Sequence, residues 1–342
     1  MNHVAIDLGS RESQVCVRSP DGAIVWERKH PTRKLEELMR SWPQSRVIVE
    51  TSSEAFRVAD AARSSGHEVR VVPATLSKQL GVGERGIKTD LRDARKLSEV
   101  SCQIDLPSVH IPSEEARLLR SVIRSREALI ETRTKLVNHV RGWLRTQLWK
   151  LPGRGLRTLA ARMRAQTSSQ QNPLPDHIEQ ILQVLDMLNL QVREADQRVR
   201  TMASSSSVCQ RLMTIPGVGP VTALSFVAAI DNVSRFRHAY RVHSFVGLTP
   251  GENSSSERQQ RTSITKAGPT SVRRTLVQAA WIALRIRPTD PMVQWAKQVE
   301  ARRGARIAVV ALARKMSGVM YAMWRDNTVY QATKAVRTVT HA

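Results

Sequence analysis

Cysteine is scarce in this chain, and the few cysteines present are too far apart in sequence to suggest a site. Cys16, Cys102 and Cys209 stand alone, and no CxxC pair occurs. This spacing excludes a disulfide scaffold and a cysteine-built zinc site, and it favours a reducing compartment such as the cytoplasm.

Long uncharged runs are also scarce. One stretch, 212–230, approaches the length of a membrane span, but Pro216, Gly217, Gly219 and Pro220 divide it into two short elements around a turn. Acidic side chains occur within the first twelve residues, which is unlike a secretory signal. We therefore expect a cytoplasmic protein with no membrane segment.

Acidic residues are few relative to basic ones. The chain has 342 residues, with 30 Asp and Glu against 53 Lys and Arg, a formal net charge of +23 and a pI near 11.2. Hydrophobic residues make up 41%, which is enough for packed cores and excludes wholesale disorder. This excess of positive charge indicates a polyanionic partner, and nucleic acid is the usual one. Aromatic residues amount to 4%, which favours contacts to a nucleic-acid backbone over base stacking.

The first third of the chain has the pattern of an α/β domain. Three β-rich runs come first, and Pro20-Asp21-Gly22 between the second and third predicts a hairpin. Helical and β-rich segments then alternate, an order typical of α/β folds. The predicted strands are 3–8, 13–18, 22–28, 46–49 and 68–72. The predicted helices are 33–41, 54–64 and a stretch that ends near 104.

Two long segments with heptad spacing follow. Residues 113–150 and 176–203 each predict a helix with regular apolar rows. The Ser-, Gln- and Pro-rich run 167–175 between them predicts a linker. The pair indicates an antiparallel coiled coil or half of an intermolecular one, and a plain helical hairpin within one monomer is the alternative. The segment from 208 to 326 again has helical character, and 327–342 predicts a flexible tail.

Four acidic residues of the first domain form a candidate metal site. Asp7 and Glu50 end predicted strands, and Asp90 and Asp93 are three residues apart, so that both point from one face of a helix. Four carboxylates near one point require compensating cations, and oxygen ligands favour Mg²⁺ or Mn²⁺. Two such ions commonly assist chemistry at a phosphodiester. The alternative is that these residues are loop caps and a solvated helix start.

Two motifs of the later segment suggest contacts to phosphate. The run 215–220 (Ile-Pro-Gly-Val-Gly-Pro) resembles a helix-hairpin-helix turn, in which Gly217 and Gly219 would let backbone N–H groups approach a phosphate. A tight turn between packed helices is the alternative. The serine-rich run 247–258 is followed by Lys266 and the Arg273-Arg274 pair, a plausible anion cradle. A deprotonated serine there could attack phosphorus, although such loops are commonly just solvated turns.

The chain carries, in this order, the four acidic residues, the two long helical segments, the glycine turn 215–220 and the serine-rich run 247–258. That combination closely resembles the DEDD-type transposases of the insertion-sequence-110 family, including the related pilin-gene invertases. The resemblance covers residues 3 to 326. It implies a RuvC-like ribonuclease-H-fold N-terminal domain, a coiled-coil connector and a mainly helical C-terminal transposase domain. It also implies a recombinase that excises and inserts a mobile element, with a structured bridge RNA pairing with target and donor DNA.

Particular residues follow from the resemblance. Asp7, Glu50, Asp90 and Asp93 would be the DEDD ligands of Mg²⁺ or Mn²⁺, and Ser255 would be the nucleophile, with Ser254 one register step away as the alternative. The family further implies a homodimer that assembles to a tetramer, with a composite centre built from different subunits. RNA and DNA backbones would contact the basic helix faces, represented by Arg124, Arg133 and Arg141, together with the turn and loop residues Gly217, Gly219, Lys266, Arg273 and Arg274.

We accordingly divide the chain into a RuvC-like domain (1–108), a coiled-coil connector (109–207), a transposase domain with the catalytic serine (208–326) and a flexible tail (327–342). The expected function is RNA-guided DNA recombination through a covalent phosphoserine, in a prokaryotic, nucleoid-associated protein. Two alternatives stay open. One is a Holliday-junction-type nuclease that uses water, and the other is a non-catalytic nucleic-acid-binding protein with an inactive site.

Overall fold

The computed structural model describes residues 1–79, 89–150, 153, 155–170, 174–253 and 260–332. The chain divides into two compact units, Met1–Pro112 and Ser113–Ala342. Ser254 to Glu257, and with them the predicted nucleophile Ser255, lie outside the described residues.

A five-stranded mixed sheet forms the centre of the first unit. Its strands are β1 (Asn2–Asp7), β2 (Glu12–Arg18), β3 (Ile24–Pro31), β4 (Ser45–Glu50) and β5 (Glu68–Val72). The spatial order is β3-β2-β1-β4-β5, in which the first three strands form an antiparallel meander and β4 and β5 run parallel to β1. The hairpin predicted at Pro20-Asp21-Gly22 is confirmed, because the Gly22 N–H donates to the Ser19 carbonyl at 2.9 Å and Gly22 has a φ of +90°.

Helices cover both faces of this sheet. They are α1 (Leu35–Arg40), α2 (Ala55–Ser64), α3 (Ala74–Gln79) and α4 (Asp90–Gln103). Apolar residues of α1 and α2 pack with alternate residues of β1, β4 and β5, while Leu97 and Val100 of α4 pack with Ala5 and Ile48 from the opposite face. The alternating burial of the strands explains this two-sided core. The predicted α/β class is confirmed, and the strand order is consistent with a RuvC-like fold.

The second unit is mainly helical. Its helices are α5 (Glu114–Thr146), α6 (Leu159–Gln170), α7 (Asp176–Ser205), α8 (Ser207–Leu212), α9 (Pro220–Ile230), α10 (Ala239–Phe245), α11 (Thr270–Ile286), α12 (Pro291–Arg303) and α13 (Ala305–Arg325). A short antiparallel hairpin, β6 (Pro250–Glu252) with β7 (Arg261–Ile264), lies between α10 and α11 in the sequence.

The long helices α5 and α7 pack against each other in antiparallel orientation within one chain. Arg126 forms an ion pair with Asp196 at 2.6 Å, and seven residues further along α5 the Arg133 side chain contacts Asn189 at 3.4 Å. This step of seven residues in each helix matches the spacing of a coiled-coil seam. An intermolecular coiled coil remains a prediction.

Helix α6 corrects the predicted linker. The helix continues to Gln170, so that residues 167–170 of the predicted linker are helical, and residues 171–173 lie outside the described residues. Leu159 and Met163 of α6 are buried against Val140 of α5 and Leu182 of α7. These apolar residues precede the Ser- and Gln-rich run, so that composition identified a linker only at the end of the helix.

Helix α13 is the core helix of the second unit. Among the described residues it is the one helix with the length and composition of a membrane span, and 67% of that span is buried within the protein. It packs against α10, α11 and α12. The uncharged stretch 212–230 is divided as predicted, into the end of α8, a turn and α9.

Candidate active site

Two acidic residues stand at the carboxyl ends of neighbouring strands. Asp7 is the last residue of β1 and Glu50 is the last residue of β4, and the parallel pairing of the two strands brings Ile6 opposite Val49 one step earlier. Side chains alternate between the faces of a strand, so Asp7 lies on the face of Ala5, and Glu50 also lies on that face. This is the face that α4 covers.

The register of α4 on β1 determines which acid of the helix approaches Asp7. The His3 Nδ1 lies 2.8 Å from the Ser101 Oγ, and Ala5 and Leu97, which come two residues further along the strand and four residues back along the helix, share one buried cluster. Two residues of a strand and four residues of a helix both span roughly 6 to 7 Å.

One further step along the same row brings Asp7 of β1 to the level of Asp93 of α4. Asp93 is only 3% exposed, so its carboxylate is directed toward the sheet rather than toward solvent. The fold therefore carries Asp7, Glu50 and Asp93 on one side of the sheet and toward one end of it.

Asp90 lies one turn before Asp93, at the first position of α4. Thr89 caps the helix, and its side chain accepts a hydrogen bond from the Arg92 N–H at 3.4 Å. Asp90 is exposed, unlike Asp93. The i, i+3 spacing places both carboxylates on one helical face, as the sequence predicted.

The donor chemistry of these four acids suits a divalent cation that prefers oxygen ligands, such as Mg²⁺ or Mn²⁺. In the part of the chain that the structure describes, no group of three or more His, Cys, Asp or Glu side chains is already gathered as a metal-binding cluster. The metal-ligand role of Asp7, Glu50, Asp90 and Asp93 therefore stays a prediction.

The end of the serine-rich run lies between the two strands of the β6–β7 hairpin in the sequence. The Asn253 N–H donates to the Gln260 carbonyl at 2.9 Å, and these residues flank 254–259, which lies outside the described residues. Ser255 and its alternative Ser254 therefore fall between β6 and β7 in the sequence. The structure gives no position for either hydroxyl, and the nucleophile remains a prediction.

The base of this hairpin is tightly packed. Gly268 has a φ of +75°, and a Cβ there would overlap the carbonyl oxygen of Phe245, the last residue of α10. Gly247 has a φ of +68°, and its carbonyl accepts a hydrogen bond from the Lys266 N–H at 3.2 Å. Lys266 itself is exposed at this base, where its ammonium can reach an anion.

Both predicted cradle arginines have partners within the protein. The Arg273 guanidinium donates to the carbonyls of Val246 and Ala267, each at 3.1 Å, and so joins α11 to the hairpin base. Arg274 pairs with Glu127 of α5, which raises the pKa of that guanidinium. Their predicted contacts to nucleic acid remain untested, and the structure gives each arginine a second, structural role.

The predicted glycine turn also has a packing role. Gly217 has a φ of +83°, and a Cβ there would overlap the Ala279 carbonyl of α11. Gly219 precedes Pro220 at the start of α9, and the space beside its Cα is open. The close packing of Gly217 favours the alternative of a tight turn between packed helices, whereas Gly219 is free to approach a ligand.

The three arginines chosen to represent the basic helix faces differ in exposure. Arg124 is exposed and Arg141 is half-buried. Arg133 is only 7% exposed in the α5–α7 seam, and this burial lowers its pKa. The prediction that Arg133 belongs to an exposed basic face is wrong, because Arg126 and Arg133 occupy seam positions where the heptad interpretation placed only apolar residues.

Comparison with known proteins identifies the family of this chain. Residues 4–148 match the DEDD_Tnp_IS110 family profile, described as "Transposase", and residues 209–293 match the "Transposase IS116/IS110/IS902 family" profile. The two profiles cover the acidic residues and the hairpin segment in turn. The protein is a transposase of the DEDD class. The chain belongs to the IS110 family of these transposases.

Three relatives are similar over nearly their whole length. The probable family 20 transposase of Pseudomonas aeruginosa is 25% identical over 97% of this chain and 99% of its own. The transposase for insertion sequence element IS1111A of Coxiella burnetii is 24% identical, covering 96% and 91%. The transposase for insertion sequence element IS1328 of Yersinia enterocolitica is 22% identical, covering 96% and 98%.

Proposed function

We propose that this chain is the transposase of an insertion sequence, and that it cuts and rejoins DNA through a covalent phosphoserine with the help of a divalent metal. The observation that carries the proposal is the placement of Asp7, Glu50 and Asp93 on one side of the sheet, with Asp93 buried on the side of α4 that faces the sheet. Family membership supplies the class of substrate, because the relatives are transposases of insertion sequences.

In this proposal Asp7, Glu50, Asp90 and Asp93 hold the metal. A Mg²⁺ or Mn²⁺ ion bound there supplies stabilisation of the negative charge that develops on the scissile phosphate. The buried position of Asp93 favours this role, since a bound cation would offset the cost of burying a charged carboxylate.

Ser255 carries the covalent step. Its Oγ attacks phosphorus, an Oγ–P bond forms, one bridging P–O bond of the DNA breaks, and the departing oxygen takes up a proton. A DNA hydroxyl later attacks the same phosphorus, breaks the Oγ–P bond and returns the proton to serine. The number of phosphoester bonds is unchanged, so that strand exchange needs no nucleotide hydrolysis.

The excess of positively charged side chains binds DNA and an element-encoded guide RNA. Exposed cations such as Arg124 and Lys266 would contact phosphates in a salt-sensitive manner, and base pairing with the RNA would select the sequence. Two chains would form a dimer, and two dimers would bring the DNA partners together, so that the acids and the serine of one centre come from different subunits.

A covalent-adduct assay tests the proposal. The full chain is incubated with Mg²⁺, labelled DNA carrying the element ends and the element's transcribed RNA, and adducts are resolved on a denaturing gel. We expect an adduct with the wild type and with Ser256→Ala, and none with Ser255→Ala or in EDTA. An adduct that Ser254→Ala abolishes and Ser255→Ala retains would move the nucleophile by one residue. Cleaved DNA without any adduct would support hydrolysis by water, as in a Holliday-junction-type nuclease.

A further inference from the structure

Tyr240 is an exposed aromatic residue on α10, with 54% of its surface accessible. The chain has three tyrosines, and the other two are bound within the protein. Tyr321 is buried and donates to the Phe236 carbonyl at 2.7 Å, while the Tyr330 hydroxyl contacts the Asp290 carboxylate at 3.0 Å. Tyr240 therefore differs from both in presenting its ring to solvent.

Cationic and aromatic neighbours hold the Tyr240 ring. The guanidinium carbon of Arg314, on α13, lies 5.7 Å from the ring centroid, and the imidazoles of His238 and His243 each lie 6.4 Å from it. Such contacts order the ring and cover part of it while more than half of the residue stays accessible. An ordered, half-open ring loses little entropy when a flat ligand stacks on it.

The surface around Tyr240 is basic and contains no carboxylate from α10 or α13. No Asp or Glu occurs in residues 232–251 or 305–325. On α13, Arg306 and Arg314 are eight residues apart, so they lie on one side of the helix about 12 Å from each other. The exposed basic residues beside Tyr240 on the chain are Arg237, His238 and Arg241. A second copy of this surface would be repelled, whereas a polyanion is attracted.

Helix α10 is also tied to the hairpin that carries the serine-rich connection. The Leu248 N–H donates to the His243 carbonyl at 3.0 Å, and Gly268 packs on the Phe245 carbonyl. A ligand on α10 would therefore lie on a helix that is bonded to the base of the β6–β7 hairpin.

We propose that Tyr240, with Arg241 and Arg314, binds single-stranded DNA, one base stacking on the tyrosine ring and flanking phosphates contacting the arginines. Unpaired bases have free faces for stacking, whereas the bases of a duplex are already stacked, so the exposed ring selects single strands. The choice of DNA rests on the proposed function, because strand cleavage releases unpaired DNA ends near the hairpin. Sequence analysis missed this site because the low aromatic content argued against stacking.

Fluorescence anisotropy of a labelled mixed-sequence 12-nucleotide single strand, with the full chain in EDTA, tests the proposal. Tyr240→Ala should weaken binding about tenfold, as expected for one stacked base, and Tyr240→Phe should stay within about twofold. Arg241→Gln should lower the salt-dependence slope by about 0.7, whereas Tyr240→Ala should leave the slope unchanged. Trp281→Ala, at another exposed aromatic residue, is the matched control and should bind like the wild type.

Two further readouts make the result decisive. A strand with 5-iododeoxyuridine should crosslink to Tyr240 on irradiation, and thermal unfolding of Tyr240→Ala should match the wild type because the side chain is exposed. Wild-type affinity of Tyr240→Ala, or an equal loss with Trp281→Ala, would overturn the proposal. A loss confined to RNA of the same sequence would overturn the choice of DNA. Binding is measured without metal, so failure here leaves the proposed cleavage chemistry intact, and failure of the adduct assay leaves this site intact.

Discussion

The Nδ1 of His3, on β1, lies 2.8 Å from the Oγ of Ser101, on α4. This contact fixes how the helix lies on the strand, and the matching steps of the two elements carry the alignment along to Asp7 and Asp93. A polar contact at one end of the sheet thus accompanies the placement of two acids at the other end. Spacing along the sequence does not predict this alignment, because it depends on how α4 packs on the sheet.

The first prediction concerns Asp93. Asp93→Asn keeps the size of the side chain and removes the charge that would hold a metal, so DNA cleavage should fall on the order of a thousandfold. Nucleic-acid affinity and the unfolding temperature should stay close to wild type. The measurement is cleavage of labelled element-end DNA in Mg²⁺. Glu99→Gln, on the exposed side of the same helix, is the control and should cleave normally. Full activity of Asp93→Asn would remove this residue from the metal site.

The second prediction separates the structural role of Arg274 from a phosphate contact. Arg274→Ala breaks the 2.7 Å ion pair with Glu127, so the free energy of unfolding should fall by about 0.5–1 kcal/mol. The salt dependence of DNA binding should not change if the guanidinium stays with Glu127. Lys266→Gln, at the exposed hairpin base, should instead lower that slope by about 0.9. Denaturant titration of each variant measures the free energy of unfolding, and anisotropy at several salt concentrations measures the salt dependence of DNA binding. A reduced slope for Arg274→Ala would show that the arginine leaves Glu127 for a phosphate.

The third prediction concerns Gly268. A Cβ at this position meets both a positive φ of +75° and the Phe245 carbonyl, so Gly268→Ala should destabilise the protein by roughly 3 kcal/mol and displace the hairpin. Gly66, which follows α2, also has a positive φ, of +82°, but open space beside it. Gly66→Ala should therefore cost only about 1 kcal/mol. Urea unfolding of the two variants distinguishes packing from backbone conformation, and equal losses would contradict the packing argument.

The fourth prediction concerns self-association. Leu185 and Val192 are buried in the α5–α7 seam, so Leu185→Asp with Val192→Asp should unfold the helical pair rather than merely separate subunits. The exposed apolar side chains of α7 are Val184, Met187 and Leu190. If a second copy packs there, Met187→Asp with Leu190→Asp should give a folded monomer. Sedimentation with and without nucleic acid measures the state, and a variant that stays dimeric would place the interface elsewhere.

Much of the first unit could be predicted from sequence, because strand alternation and acidic residues at strand ends are local signals. Such local signals did not predict the polar contacts between α5 and α7. Arg126 and Arg133 alternate with apolar residues at seam positions, and their partners Asp196 and Asn189 lie far away in sequence. Polar pairs of this kind set the register of paired helices, and heptad counting treats them as surface. Similarly, the role of Arg273 became visible only when the carbonyls it contacts were located in space.

The last prediction is a dependence of stability on pH that involves His243. Burial, with the neighbouring Arg314 as a second cause, lowers the pKa of His243 to about 4 from its ordinary value of 6.5. Within the described ranges, two charged or titratable side chains contact the His243 imidazole, Arg314 of α13 and Tyr240 of α10. The unfolded chain therefore binds a proton on His243 at a higher pH than the folded chain does. The stability contributed by the neutral imidazole is complete above pH 6.5 and is lost as the pH falls toward 4. The linked free energy is about 3 kcal/mol. We expect urea midpoints to drop between pH 7 and pH 4.5, and the drop to be smaller in His243→Asn, which does not titrate. Parallel curves for the two proteins would show that other groups cause the acid sensitivity.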